Sequence, residues 1–203
     1  MNNCPYCKEF ESRELIHNGE TIKRILYETD NFVVFPALGC FIEGYLLIAP
    51  KQHYISVGTM PSSLVAEMEE IKNRVKNIIT QEYGEPVVFE HGPSAQMLKG
   101  VCCIDHAHLH VVPFKMNLHA HVSDHFQGSE ISGLDQLKSA GQKAYLFTEG
   151  DKQHVFLLDA AIPTQLIRKI IAKEAGITEK WDWRTYPEIE NLKKTITNLK
   201  RKF

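Results

Sequence analysis

The segment Asp105-His106-Ala107-His108-Leu109-His110-Val111-Val112-Pro113 places three histidines at alternate positions inside an apolar, β-branched run. In an extended strand successive side chains point to opposite faces, so His106, His108 and His110 share one face while Ala107, Leu109 and Val111 share the other. Neutral imidazole is a nucleophile near pH 7, and its phosphoramidate is labile enough for water to cleave. Such a row suits attack at phosphorus. His108, in the middle, is the expected nucleophile, and its neighbours would fix its tautomer, bond phosphate oxygens or hold a metal. The rival chemistry is a single zinc ligated by all three histidines. Same-face positions on a strand lie ~6.7 Å apart while a Zn–N bond is ~2 Å, which favours the nucleophile. The plainest alternative is a set of surface or hydrogen-bonded histidines on a half-exposed strand.

Cys4-Pro5-Tyr6-Cys7 is the second chemical motif. CPYC is also the active-site tetrad of glutaredoxins, but a redox pair of that kind follows a buried strand and opens a helix. Only three residues precede Cys4, so the expectation here is a loop acting as a metal knuckle. A tetrahedral site needs two further ligands, and His53 with one triad histidine can supply them. Cys40 and the adjacent Cys102-Cys103 read as small buried residues.

The elements that must position these groups read as follows. Ile25-Leu26-Tyr27 and Phe32-Val33-Val34-Phe35 form a hairpin around Glu28-Thr29-Asp30-Asn31. Gly44 to Pro50 is a fully apolar strand stopped by proline, which puts His53 just beyond a strand end. After Pro61, the residues Leu64, Met68, Ile71, Val75, Ile78 and Ile79 make one helical stripe ending before Gly84. Val87 to His91 is another strand, and a loop from Gly92 to Gly100 leads into the histidine strand at about 104–114. Strands with hairpin-length connections predict a largely antiparallel sheet. Past residue 118 a polar stretch with His119, His121 and His125 reads as a long exposed connection. A hairpin of 144–148 with 154–159, a helix from Pro163 to Ala175 and a last basic helix from about Glu188 follow.

With 203 residues, 43% hydrophobic and 24% charged, the composition is that of an ordinary globular protein, and disorder is excluded. A formal charge of −2 supplies no bulk attraction to nucleic acid polymers or anionic membranes, so a small nucleotide is the better-fitting partner. No apolar run approaches the ~20 residues of a membrane span, and the first residues lack the pattern of a signal peptide. A cytoplasmic location is expected. The odd number of cysteines, five, does not look like a secreted disulfide framework.

His106-x-His108-x-His110-Val111-Val112 resembles the signature of the histidine triad superfamily. Gly44-Tyr45-Leu46-Leu47-Ile48-Ala49-Pro50-Lys51-Gln52-His53 resembles that family's glycine, apolar strand and Pro-Lys-x-His segment, and Cys4-x-x-Cys7 resembles the knuckle of its zinc-bearing bacterial members. The similarity covers about residues 1–118, leaving 119–203 as a C-terminal extension of a hairpin and two helices. The resemblance implies an α+β fold, a mainly antiparallel sheet with a long helix plus a smaller C-terminal α/β extension. It implies a nucleotide hydrolase or transferase acting on phosphoramidates, dinucleoside polyphosphates or related nucleotidyl compounds. His108 would carry the nucleotidyl intermediate with His106 and His110 beside it; His110, Cys103, Gly100 and Phe35 would meet the substrate; and Cys4, Cys7, His53 and His106 would hold a structural zinc. Pairing into a homodimer is consistent with the same resemblance.

The chain departs from the family pattern in three places. Phe35 is followed by Pro36-Ala37 where an aspartate commonly holds the ribose hydroxyls, Val101-Cys102-Cys103 replaces a Gly-Gln-Ser/Thr segment, and Glu90 stands at an asparagine position. A thiol is a weak donor, and Glu90 would repel a phosphate unless it faces away or is protonated. These departures keep open a second reading, a nucleotide-binding or interaction module with little catalysis. In the extension, Arg168, Lys169 and Arg184 are able to fork onto a phosphate, but Ile167, Ile170 and Ile171 read as the buried stripe of a helix whose charges face water. Trp181 and Trp183 read as packing residues.

Overall fold

The structure is a computed structural model that describes residues 4–93, 104–141, 143–158, 163 and 165–203. In chain order the helices are α1 (Pro5–Ser12), α2 (Ser62–Tyr83), α3 (Leu118–Ser123), α4 (Leu166–Glu174) and α5 (Ile189–Leu199). The strands are β1 (Leu15–His17), β2 (Glu20–Ile22), β3 (Tyr27–Glu28), β4 (Phe32–Pro36), β5 (Leu46–Pro50), β6 (Val87–Gly92), β7 (Leu109–Val112), β8 (Gly128–Ile131), β9 (Ala144–Glu149) and β10 (Gln153–Leu158). β1 and β2 form a small hairpin of their own. The other eight strands make one antiparallel sheet in the order β3-β4-β5-β7-β6-β9-β10-β8.

Both faces of this sheet are buried, which is why its central strands read as unbroken apolar runs and not as alternating ones. Val33, Phe35, Leu47, Phe89, Val112 and Leu146 face one core, where Ile167 and Ile171 of α4 and Tyr6 of α1 cover them. Phe32, Val34, Leu46, Ile48, Val88 and Val111 face the other, under Val65, Met68, Val75 and Ile79 of α2. Each such side chain contributes ~1.5–3 kcal/mol on burial, so the three-layer arrangement is fixed by its apolar faces.

The sheet does not stop where the family resemblance stops. β9 pairs with β6, from Val88 opposite Glu149 to Gly92 opposite Tyr145. The seam is fastened by charge as well: the buried Lys72 ammonium of α2 lies 2.5 Å from the Glu149 carboxylate, and Lys76 pairs with the same group. Thus residues of the extension share the cores of the first part.

Several expectations need correction. The Cys4/Cys7 segment is not a loop: Cys4 is the N-cap of α1 and Pro5 its first residue, a position proline favours because its missing N–H is not needed there. The histidine strand is shorter than predicted, since β7 begins only at Leu109. The stretch after 118 is not simply exposed. Leu118 and Val122 of α3, capped by Asn117, and Leu134 and Leu137 of a 3-10 turn are buried. Spaced three to four residues apart, they peg this polar segment to the body.

Candidate active site and metal centre

His110 lies on β7 between Leu47 of β5 and Phe89 of β6. Its ring stacks on Phe89 at 4.2 Å, and its Nδ1 lies 2.5 Å from the hydroxyl of Tyr45, which is wholly buried. His108 precedes the strand, its ring 4.6 Å from that of His110. Its Nδ1 is 2.6 Å from the His106 carbonyl oxygen. A carbonyl only accepts, so Nδ1 carries the proton and the Nε2 lone pair is left free. Both rings line a cavity of about 490 Å³ whose other walls include Tyr6 of α1, His91 of β6, Arg168 of α4 and Trp183.

The electrostatics keep these imidazoles neutral. Burial lowers the pKa of His108 to about 4; the Arg168 charge acts in the same direction, and the bond to the His106 carbonyl opposes it. Burial also brings His91 down to about 4, with His108 adding to the effect. His110 is held well below the usual histidine range by burial, then by His108, Arg168 and His91. A neutral imidazole with a free Nε2, beside a cation that attracts anions, is competent for nucleophilic attack on a phosphoryl group.

His106 turns away from this cavity. Its Nδ1 lies 3.4 Å from Cys4 Sγ and 3.7 Å from Cys7 Sγ, and Cys7 Sγ lies 3.5 Å from His53 Nδ1. The four ligand atoms all fall within 4.8 Å of one another. Zinc bonds of ~2.3 Å to sulfur and ~2.05 Å to nitrogen at the tetrahedral angle give an S···N edge of ~3.6 Å. The observed separations match that edge. The second nitrogen fits too: His106 Nε2 donates to the Pro50 carbonyl at 2.7 Å, the backbone anchor that fixes the tautomer of a metal-ligating histidine. These four residues can therefore hold zinc, and the one-metal, three-histidine arrangement is not what the structure builds. The cysteines do open a helix, one condition of a redox pair, but both thiols face histidines and both are free.

The remaining expected site residues divide. Phe35 is fully buried behind Tyr6 and Phe10, with Arg24 over its ring at 4.7 Å, so it backs the cavity wall without lining it. Gly100 and Cys103 lie outside the described residues. Glu90 faces the opposite core, where it accepts hydrogen bonds from Val57 N at 2.8 Å and the Tyr145 hydroxyl at 2.6 Å, and burial raises its pKa to about 7. It does not confront the cavity.

Sequence reasoning missed three residues of this site. Tyr45 looks like core in an apolar strand. His91 shares the face of Phe89 by simple alternation, a signal that becomes useful only once β6 is known to flank β7. Arg168 was expected in water and is instead 4% exposed. On α4 the buried set is Ile167, Arg168, Ile171 and Ala172, so the arginine sits inside the apolar stripe, four residues before Ala172. Among the described residues, no helix is long and apolar enough to cross a membrane.

A family model described as "Scavenger mRNA decapping enzyme C-term binding" matches residues 12–129. Over 118 residues the chain is 29% identical to adenylylsulfatase HINT3 of Arabidopsis thaliana, a stretch that is 57% of this chain and 54% of that protein. The chain thus spans about half the length of that curated relative. Among solved structures, a zinc-bound histidine triad family protein of Mycobacterium smegmatis aligns at 21% identity and TM-score 0.44, covering 57% of this chain and 77% of that one. A HIT family member from Bacillus subtilis aligns at 15% identity and TM-score 0.44, covering 63% and 100%. The family model spans over half of the sequence, the whole triad included, and the chain belongs to this decapping-enzyme C-terminal-binding family of the histidine triad superfamily.

Proposed function

We propose that the protein is a nucleotidyl hydrolase or transferase in which His108 Nε2 attacks the α-phosphorus of a small nucleotide. The P–N bond forms as the bond to the leaving group breaks, and the departing group takes the displaced electron pair. Water or a second acceptor then attacks the nucleotidyl-histidine, returning the electron pair to Nε2. The observation that carries this reading is the His108 Nδ1 bond to the His106 carbonyl, which leaves the free lone pair on the nitrogen that can serve the cavity. His110 would donate to a phosphoryl oxygen, stabilising charge as it develops. HINT3 is named for cleaving an adenylyl sulfate, and that compound joins the phosphoramidates and dinucleoside polyphosphates implied by the histidine triad resemblance in the substrate panel.

Zinc at Cys4, Cys7, His53 and His106 would be structural: with four protein ligands it has no open position for substrate. It would tie α1 to the triad segment and so fix the His106 carbonyl that orients His108. The placement of residues 119–203 as an extension that completes this pocket, and a cytoplasmic location, belong to the same proposal.

Intact-mass spectrometry tests it. Wild type and His108→Ala are mixed briefly with nucleoside phosphoramidates, adenylyl sulfate, dinucleoside polyphosphates and nucleotide sugars, then quenched in base. A nucleotidyl adduct on wild type alone supports the assignment. Turnover that survives His108→Ala refutes it, and absence of both adduct and product across the panel favours a binding module.

A further inference from the structure

α4 meets the histidine cavity with its first turn: Gln165 at the N-cap, then Leu166, Ile167 and Arg168, all line it together with His108 and His110. This turn lies beyond the 12–129 region that the family model matches. Two positive features converge there. A helix N-terminus carries the positive end of the peptide dipoles, and Gln165 supplies no side-chain hydrogen bond to cap it. Arg168 adds a full charge on a buried side chain.

The guanidinium is held in place without being neutralised. Its Nε donates to the Trp181 carbonyl at 2.8 Å and its Nη2 to the Gly39 carbonyl at 2.7 Å, and it lies 4.7 Å from the ring centre of Phe41. Gly39 makes the approach possible. Its φ is +71°, and a Cβ there would sit 2.4 Å from Trp183 Cβ and 2.8 Å from Arg168 Nη2. Carbonyls and a ring face stabilise a cation but supply no countercharge. No carboxylate pairs with Arg168 among the described residues, and Glu9 in the same cavity wall gives both its oxygens to Arg24 at 2.7 Å. The neighbouring cations are engaged elsewhere: Lys169 lies over the Trp181 ring at 4.1 Å, and Arg184 pairs with Asp182. A buried cation without an opposite charge is costly, and an oxyanion entering the cavity would supply that charge.

We infer that Arg168, with the first turn of α4, is the anion-binding element of the histidine cavity and forks onto an oxyanion of the nucleotide substrate, either its transferred phosphoryl group or a sulfate or phosphate leaving group. The C-terminal extension is in this way part of the active site. The nucleotide as ligand rests on the nucleotidyl-transfer reading above; the preference for an oxyanion does not.

Calorimetry on the full chain tests it, with AMP, adenosine and inorganic pyrophosphate as probes. Wild type is expected to bind AMP and pyrophosphate, and Arg168→Gln to weaken both by ~10–100-fold while adenosine affinity changes by less than about threefold. Arg168→Lys keeps the charge and loses the fork, so it should recover part of the AMP affinity. With ¹⁵N-labelled arginine, the Nε–H signal of wild type that is missing from Arg168→Lys should shift when pyrophosphate is added, a readout that serves even if Arg168→Gln fails to fold. Turnover then separates the two sources of the oxyanion, and either result supports the inference: a loss of kcat/KM in Arg168→Gln confined to adenylyl sulfate marks the leaving group, and an equal loss for adenosine phosphoramidate marks the transferred phosphoryl group. A folded Arg168→Gln variant that binds AMP and pyrophosphate as wild type does, an adenosine affinity that falls in parallel with that for AMP, or an Arg168 signal that neither AMP nor pyrophosphate moves would each overturn it. If wild type binds pyrophosphate through Arg168 but turns over no panel nucleotide, the function reading fails and the anion site stands.

Discussion

Glu9→Gln is the substitution whose cost can be worked most directly from the geometry. Glu9 on α1 and Arg24, just past β2, are 6% and 3% exposed and share two hydrogen bonds of 2.7 Å. Arg24 is further fixed by a 2.5 Å bond to the Pro36 carbonyl and by the Phe35 ring beneath it. It cannot swing out to water when its partner is neutralised. Removing one member of a buried pair leaves an uncompensated charge and costs ~3–5 kcal/mol. For a protein of 203 residues each kcal/mol moves the melting temperature by ~2–4 °C, so the expected fall is ~6–20 °C. The exposed pair Arg13–Glu28 supplies an internal control: its partners are 57% and 34% exposed, and Arg13→Gln should cost at most ~1 kcal/mol. The assay is thermal unfolding followed by circular dichroism, at matched zinc content. Because α1 also carries Cys4 and Cys7, zinc affinity should fall along with stability in Glu9→Gln. The double variant Glu9→Leu/Arg24→Met should recover most of the loss, as apolar replacements of a buried pair commonly do. Equal melting temperatures for Glu9→Gln and Arg13→Gln would refute the reasoning.

His108→Ala should abolish nucleotidyl turnover while leaving the far-ultraviolet spectrum and the zinc content unchanged, since the side chain touches no proposed ligand atom; metal analysis and mass spectrometry check both. Cys4→Ala should lower bound zinc and stability together, measured by metal analysis and by melting with and without a chelator. Glu90→Gln should flatten a pH dependence of stability. The folded pKa of about 7 lies above the ordinary 4.5, so the folded state binds more protons than the unfolded between those values and loses stability as pH rises through the window. The full effect is about 3 kcal/mol, read as the difference in denaturant midpoint between pH 4.5 and pH 8 in wild type and variant.

What was legible in the sequence follows from how local the signal is. Strand alternation placed Ala107, Leu109 and Val111 together, and all three lie in the core beneath α2. The same rule put His106 on the cavity face with its neighbours, and there it failed. His106 precedes β7, and its ring is turned by two long-range anchors, the Pro50 carbonyl and the thiols of α1, that alternation knows nothing about. The zinc ligand set was reached through the family resemblance and agrees with the geometry, because spacing and residue type nearly determine a four-ligand cluster once the segments meet.

Tyr45 and Arg168 were illegible for a different reason. Tyr45 lies in an apolar run where burial already accounts for it, and its hydroxyl acquires meaning only when β5 is laid beside β7 and Tyr45 meets His110. Arg168 did carry a local sign, a cation inside the stripe of α4. The usual inference, that a charged residue on a surface helix faces water, reverses once that helix covers a pocket, because each N–H of the guanidinium can be met by carbonyls and aromatic faces that a folded loop presents. A charge that interrupts an apolar helical stripe without a neighbouring carboxylate is therefore the pattern to weigh in this chain: here the Trp181 and Gly39 carbonyls and the Phe41 ring offset the cost of burying it.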